Sequence, residues 1–409
     1  MKVNRKLALW IGLAVIVTLG VAFVASPAGL NVAGSWLADD EPKPVPVAGA
    51  DLGGAGPGSL ISAMTMPEFL DAAGNPNLRA ARVVYRSTNG DTGTETKVSG
   101  SVFTPTGEPP PGGWPIVALA HGTTGILRQC APSQTDDLWD LAEPVMNYVK
   151  SGYAVALADY EGLGEDGVHP YMDAKTAGLN VIDSVRALRH ALPGTSTRWL
   201  AFGGSQGGAA AWAANEQAKP YAPELELVGA VANSPAADLS GMVDKAQRAT
   251  LSVDQMPLFL NVVEAVARLH PDVDRGDFRS GAAATYWVPL LSCNPDTSTY
   301  RRTEKMRLKP EEFAPRTQDA ANRLRAVLVK WALPQQPLSA PLSVTYGGRD
   351  TYVDAQWTTD AIARQCALGG IVVWDLQPDK GHGDIDIVHQ FEWMADRFAG
   401  KPAISQCPP

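Results

Sequence analysis

The chain has 409 residues, 45% of them apolar, which suits one large folded body with an insertion. Its formal charge of -9, without a clustered basic run, excludes a phosphate-backbone ligand, so no nucleic-acid partner is expected. Cys130, Cys293, Cys366 and Cys407 lie apart without any Cys-x-x-Cys pair, which argues against a zinc site.

Lys2, Arg5 and Lys6 precede an almost unbroken apolar run, Leu7 to Ala25, in the order of a secretory signal. Residues 1–28 are therefore expected to be a signal peptide or membrane anchor, which gives a secreted or cell-envelope protein. Export favours two disulfides among the four cysteines, and arithmetic leaves three pairings open. Glu41 to Ser59 is rich in Pro and Gly and reads as a flexible spacer, within a linker over 29–58. Strand-like runs then follow at Arg82–Tyr85, Lys97–Thr104, Pro115–Ala120, Tyr153–Asp159, Trp199–Phe202 and Leu227–Val231. Ala174–Leu192 is the clearest helix, with Leu179, Ile182, Val185, Leu188 and Leu192 on one face. A small-residue helix is expected over Gly207–Lys219. The alternation predicts an α/β body with a mostly parallel sheet and helices on both faces. It breaks between Pro235 and Pro341, read as an inserted helical cap, and resumes with strands Leu342–Tyr346 and Ile371–Leu376 and helices near Ala355–Leu368 and Ile385–Phe398. The expected division is a core over 59–236, a cap over 237–340 and the rest of the core over 341–409.

The chemistry centres on Gly203-Gly204-Ser205-Gln206-Gly207, between an apolar strand and a small-residue helix. A serine on a sharp strand-to-helix turn needs neighbours without bulk, so that its hydroxyl stands above the sheet. Asp350 follows the strand Leu342–Tyr346 in Gly347-Gly348-Arg349-Asp350, and His382 follows the strand Ile371–Leu376 in Gly381-His382-Gly383. The order Ser, Asp, His, each at a strand's carboxyl end, is that of an α/β-hydrolase triad, and the 145 positions from Ser205 to Asp350 leave room for a cap. Serine needs a base to take its proton, and His382 is the candidate. His389 falls in an amphipathic helix, His270 and His169 adjoin prolines, and His190 sits near a helix end. Asp350 would orient the imidazole, while Asp354 and Asp384 look like helix caps. An oxyanion needs two donors: the Gln206 N–H, and a second from His121-Gly122-Thr123-Thr124-Gly125, with Thr123 ahead of Thr124. His121 is expected to brace that loop.

Asp159-Tyr160-Glu161-Gly162-Leu163-Gly164, Gly203 to Gly208 and Tyr221-Ala222-Pro223-Glu224-Leu225 together resemble the secretory lipase family, from about Gly58 to the C-terminus. The resemblance implies an α/β-hydrolase fold, secreted carboxylic-ester hydrolysis, often of triacylglycerols, and a cap between nucleophile and acid. It also implies disulfides Cys130–Cys293 and Cys366–Cys407. Ser205, Asp350 and His382 fall on matching motifs, whereas His121-Gly122-Thr123 is the esterase-like form of the oxyanion loop. Glu161 lies in a family motif and reads as a turn residue that orders its loop by hydrogen bonding. The expected substrate is a small-molecule or lipid ester, with no metal, organic cofactor or protein partner implied. Phe259, Leu260, Tyr286 and Trp287 would either line an acyl pocket or form the cap's own core. Acyl transfer to a sugar or glycerol hydroxyl, peptide hydrolysis, and a non-catalytic hydrolase fold that binds an apolar ligand are the competing readings.

Overall fold

Apolar runs of strand length separated by amphipathic stretches call for a layered α/β arrangement, and the computed structural model, which describes residues 43–75, 77–294 and 305–408, has it. The strands are β1 (Leu60–Thr65), β2 (Leu78–Thr88), β3 (Glu95–Pro105), β4 (Trp114–Ala120), β5 (Ala154–Ala158), β6 (Thr195–Gly204), β7 (Glu226–Asn233), β8 (Leu342–Gly347) and β9 (Val372–Gln377). They form one sheet in the order β1-β2-β3-β5-β4-β6-β7-β8-β9. Pairings from β1 through β3 to β5 are antiparallel, and those from β5 through β4 to β9 are parallel. Strand β1 is missing from the sequence expectation. Its pairing register slips between Leu60 and Ser62, so Leu60 and Ala63, three apart, are its buried residues and the two-residue alternation is lost.

Among the described residues the helices are α1 (Pro67–Ala73), α2 (Ala142–Lys150), α3 (Ala174–Ala191), α4 (Gln206–Tyr221), α5 (Gly241–Gln247), α6 (Gln255–Leu269), α7 (Gly281–Leu290), α8 (Gln318–Trp331), α9 (Ala355–Ala367) and α10 (Val388–Phe398). Asp173 starts α3 by accepting the Thr176 N–H. Helix α10 begins three residues later than its apolar pattern suggests. Gln377 holds Asp386 through two hydrogen bonds of 2.8 Å, so Ile385 to Ile387 stay in the loop that carries His382.

Alternation along the strands separates two cores. Ile116, Ala118, Ala156, Trp199 and Ala201 face α3 and α4, where alanines let the helices lie close to the sheet. Val117, Leu119, Val155, Leu157, Leu200 and Phe202 face Val145, Tyr148 and Val149 of α2 and Met394 of α10. Each fully buried large side chain contributes about 1.5–3 kcal/mol.

The described residues between β7 and β8 contain helices and no strand. Phe259 meets Phe278 and Phe313 edge to face within this insertion, and Trp287 lies tilted against Phe313, at centroid separations of 6.1 to 6.4 Å. Its buried carboxylate, Glu264, is compensated by Arg268, Arg275 and the Trp287 indole, each donating at 2.8 Å. The disulfide Cys130–Cys293 ties this segment, just after α7, to the loop after β4, and Cys366–Cys407 ties α9 to the C-terminal tail. By loop closure alone Cys366–Cys407 is worth about 4 kcal/mol and the longer loop closed by Cys130–Cys293 about 5 kcal/mol.

The spacer expectation needs correction in its described part. From Val45 onward the chain is part of the body: Val47 N donates to Ala63 O, Asp51 N to His190 O and Gly58 N to Arg86 O, at 3.0, 2.9 and 2.7 Å. Backbone hydrogen bonds attach a polar, Gly-rich segment that composition alone marks as free. Residues 1–28, expected to be a signal peptide or anchor, lie outside the described residues. Among the described residues no helix is long and apolar enough to cross a membrane.

Glu216 in α4 is buried, and both carboxylate oxygens accept the Gln335 N–H, at 3.2 and 3.1 Å. Burial pushes its pKa up to about 8. The folded state therefore holds a proton that the unfolded chain releases near its ordinary 4.5, and stability falls as pH rises through this window. Glu216→Gln should match the parent in thermal stability near pH 4 and exceed it increasingly up to pH 9. Thermal unfolding across that range checks this, and a pH-independent difference contradicts it.

Candidate active site

Strand β6 ends at Gly204 and α4 begins at Gln206, leaving Ser205 as the single residue of the turn, at φ 58° and ψ -120°. A non-glycine residue held there costs about 1–3 kcal/mol of backbone strain. The turn closes only because its flanks are bare. A Cβ on Gly203 would stand 2.2 Å from Gly207 O, and one on Gly207 would stand 2.0 Å from Ala120 O at the end of β4. The Ser205 N–H is anchored by Asn233 O at 2.8 Å, and Ser205 O accepts from Ala209 and Ala236.

At the end of β8, Gly347 lets the loop before His382 approach closely, since a Cβ there would lie 2.3 Å from Lys380 O. His382 Nδ1 then donates to Asp350 Oδ2 at 2.6 Å. Asp350 Oδ1 accepts from the Tyr352 and Val353 N–H groups at 2.8 and 2.9 Å, so both carboxylate oxygens are committed. The Asp350 side chain is 3% exposed and that of His382 16%, which leaves the imidazole accessible on its other edge. With Nδ1 protonated, Nε2 is free to accept a proton. Ser234, at the end of β7, donates to His382 O at 2.9 Å and fixes this loop from below. Ser205 and His382 line one cavity of about 1010 Å³ together with His121, Gly122, Asn233 and Ser234.

The rival residues are occupied elsewhere. Asp354 pairs with Lys245 at 2.8 Å, and Asp384 accepts the Gly381 N–H at 2.6 Å, so neither side chain serves as the helix cap expected of it. His389 lies 3.2 Å from Thr345 Oγ1, His270 lies 3.6 Å from Asp91, and His190 faces Asp51.

Gln206 is the first residue of α4, where an N–H has no intrahelical acceptor and remains available. Gly122 faces the serine across the turn: a Cβ on it would come within 3.9 Å of Ser205 Cβ. The Thr123 hydroxyl is held by Tyr171 OH at 2.6 Å, which leaves only its backbone for any donor role. His121 braces the loop as expected, with Nδ1 2.6 Å from Gly122 O and Nε2 3.1 Å from Asp159 O. The Asp159-Tyr160-Glu161 motif supports the same loop. Tyr160 OH donates to His121 O at 2.9 Å, and the Asp159 carboxylate is held by Ser99 Oγ and Ser133 Oγ at 2.6 and 2.5 Å. Glu161 accepts from Asn89 at 3.0 Å, and burial raises its carboxyl pKa.

His169 acquires a role that the sequence reading does not contain. Its Nδ1–H donates to Glu161 O at 2.8 Å, and its Nε2 accepts from the Gln206 side-chain amide at 2.9 Å. Gln206, the residue expected to carry one oxyanion donor, is thereby tied to the Asp159 motif. The spacing of His169 from Gln206 carries no signal of this contact, which only the folded sheet creates.

Of the two readings of the cap residues, the core reading holds: Phe259, Leu260 and Trp287 are buried, Tyr286 packs against the same core, and none lines the cavity at Ser205. Its apolar walls come from α2, from Leu119 and Phe202 on the sheet, and from α10.

Residues 140–276 match the family model described as secretory lipase. Over this stretch the chain is similar to the secretory lipases. Lipase 6 of Candida albicans is 28% identical over 286 residues, 63% of this chain and 58% of that protein, so the match spans under two thirds of this relative. A protein of Mycobacterium tuberculosis described as a probable inactive lipase is 25% identical over 399 residues, 90% of this chain and 83% of that one. Among solved structures, Candida antarctica lipase A in its closed state has a TM-score of 0.69 at 17% identity, covering 88% of this chain and 86% of the other. The rice cell wall degrading esterase LipA from Xanthomonas oryzae has a TM-score of 0.62 at 20% identity, covering 85% and 97%. These likenesses establish the α/β-hydrolase fold, and the family match agrees with the resemblance carried by the sequence motifs.

Burial drives the His169 pKa down to about 3. In nitrogen-15 NMR spectra, His169 should remain neutral with Nδ1 protonated from pH 8 to pH 4.5. Titration near the ordinary 6.5 would contradict the tie to Gln206.

Proposed function

We propose that this chain is an exported serine carboxylic-ester hydrolase, a lipase or esterase acting on acyl esters such as acylglycerols through Ser205, His382 and Asp350. One observation carries the reading: the His382 Nδ1–Asp350 bond of 2.6 Å belongs to a histidine that shares an apolar cavity with Ser205 on its strained turn. Ser205 Oγ attacks the ester carbonyl carbon as His382 Nε2 takes its proton. The carbonyl oxygen, now negative, is stabilised by the Gln206 N–H and by an N–H of the Gly122–Thr123 loop, with Thr123 the expected donor. Collapse breaks the bond to the alcohol oxygen, which leaves with the proton held by His382. Water then attacks the acyl-enzyme with His382 as base, the Oγ–acyl bond breaks as His382 returns that proton to Ser205 Oγ, and the carboxylic acid departs. Asp350 keeps the imidazole in the required tautomer and offsets its positive charge without itself taking the proton. Two disulfides fit an oxidising compartment, and residues 1–28 would direct the chain there.

The inactive relative favours a second reading, in which the fold binds an apolar ligand without turnover. Against it stands the presence of Ser205, Asp350 and His382 at three strand ends. Hydrolysis of p-nitrophenyl esters from acetate to palmitate separates the two. Ser205→Ala should lower kcat about a million-fold, and Asp350→Asn about ten-thousand-fold by favouring the wrong tautomer. Hydrolysis that persists at full rate in Ser205→Ala would end the proposal. Mainly transferred ester in the presence of glycerol would recast the enzyme as an acyltransferase.

A further inference from the structure

The cavity at Ser205 extends well beyond the reacting groups. It descends on the face of the sheet covered by α2 and α10, between Leu119 and Phe202 on the strands, Tyr148 on α2, and Ile387, Phe391 and Met394 at and along α10. Its volume of about 1010 Å³ is at the upper end for pockets that hold small ligands. Three of its aromatic rings brace one another: Tyr148 and Phe202 at 5.9 Å, Tyr148 and Phe391 at 6.2 Å, and Phe202 and Phe391 at 5.9 Å with planes 18° apart. An apolar wall pre-set in this way binds without ordering its own side chains. At its solvent side the cavity ends at polar, exposed residues, Asn147 and Ser151. No described residue of the insertion over 237–340 contributes to it.

Resting on the ester-hydrolase reading, we propose that the acyl chain of the substrate lies in this channel between α2 and α10. The Tyr148–Phe202–Phe391 wall and Met394 set its length, and the described helices of the insertion make no acyl contact. From Ile387 to Met394 the channel follows two turns of α10, about 11 Å. An extended chain advances roughly 1.3 Å per carbon–carbon bond, so about eight methylenes fit. The substrate class is then esters of straight-chain acids of medium length, with decanoate near the optimum.

The test measures kcat/KM for p-nitrophenyl decanoate against acetate in the full-length chain, in Asn147→Trp and Met394→Phe, and in Tyr286→Ala of α7 as the comparison. Asn147 is exposed, so its replacement obstructs the channel without disturbing the core. Either channel variant should lower the decanoate-to-acetate ratio about tenfold or more, the scale on which an apolar pocket discriminates single methylenes. Tyr286→Ala should leave the ratio as it is. A second readout needs no turnover: calorimetric binding of decanoate to Ser205→Ala, weakened about tenfold by adding Asn147→Trp. Decanoate binding that Asn147→Trp abolishes, in a chain that hydrolyses no ester, would support the channel and overturn the hydrolase reading. A ratio and an affinity unmoved by both channel variants, or a ratio moved by Tyr286→Ala instead, would overturn the channel.

Discussion

The arrangement depends on one backbone constraint, the turn at Ser205. A serine at φ 58° between a strand and a helix is held by close approach of backbone to backbone, and a Cβ on Gly203 or Gly207 would abolish that approach. The same contact brings Ala120 at the end of β4 against Gly207, so the loop after β4 begins within reach of the nucleophile. One steric requirement thereby positions both the serine and the loop expected to stabilise its oxyanion.

Near this turn, the Asp350 and Asp159 carboxylates are held by partners at fixed distances. Asp350 receives two backbone N–H groups as well as His382, and Asp159 receives two serine hydroxyls and the Ser133 N–H. Buried polar networks of this kind stabilise only when complete, and complete ones hold a single geometry. The aromatic cluster of the helical insertion is continuous with the core under α3 and α4, and its buried carboxylate is satisfied. The insertion meets the site both at the Cys130–Cys293 bond near the oxyanion loop and at the Asp350 loop, where Ser252 donates to Thr351 O and Gln255 to Tyr352 O. The acyl space lies on the opposite sheet face, where larger side chains leave room that the alanine-lined face does not.

How much was legible follows from the range of the signals. The elbow, the oxyanion loop and the strand-end positions of Asp350 and His382 are written in short stretches, because a turn that must expose a side chain constrains its immediate neighbours. Eight of the nine strands lie where apolar runs mark them, whereas β1 is hidden by its slipped register. The roles of His169, Tyr171 and Ser234 are not legible because their partners are distant in sequence, although Ser234 stands at the carboxyl end of β7, where functional groups gather. The cap aromatics left two readings open because an apolar cluster looks the same whether it lines a pocket or fills a core. The residues after Glu41 misled because composition is blind to backbone pairing, which attaches Val47 and Asp51 to the body. Cysteine arithmetic left three pairings open; family resemblance implied the two that the structure contains.

The central claim is that Ser205, activated by His382, is the group that becomes acylated. Treatment with an alkyl fluorophosphonate, followed by proteolysis and mass spectrometry, tests it directly. The account predicts one adduct per chain, on Ser205, formed in the parent and lost on changing His382 to alanine. An adduct on another serine, or none at all in the folded parent, would contradict it.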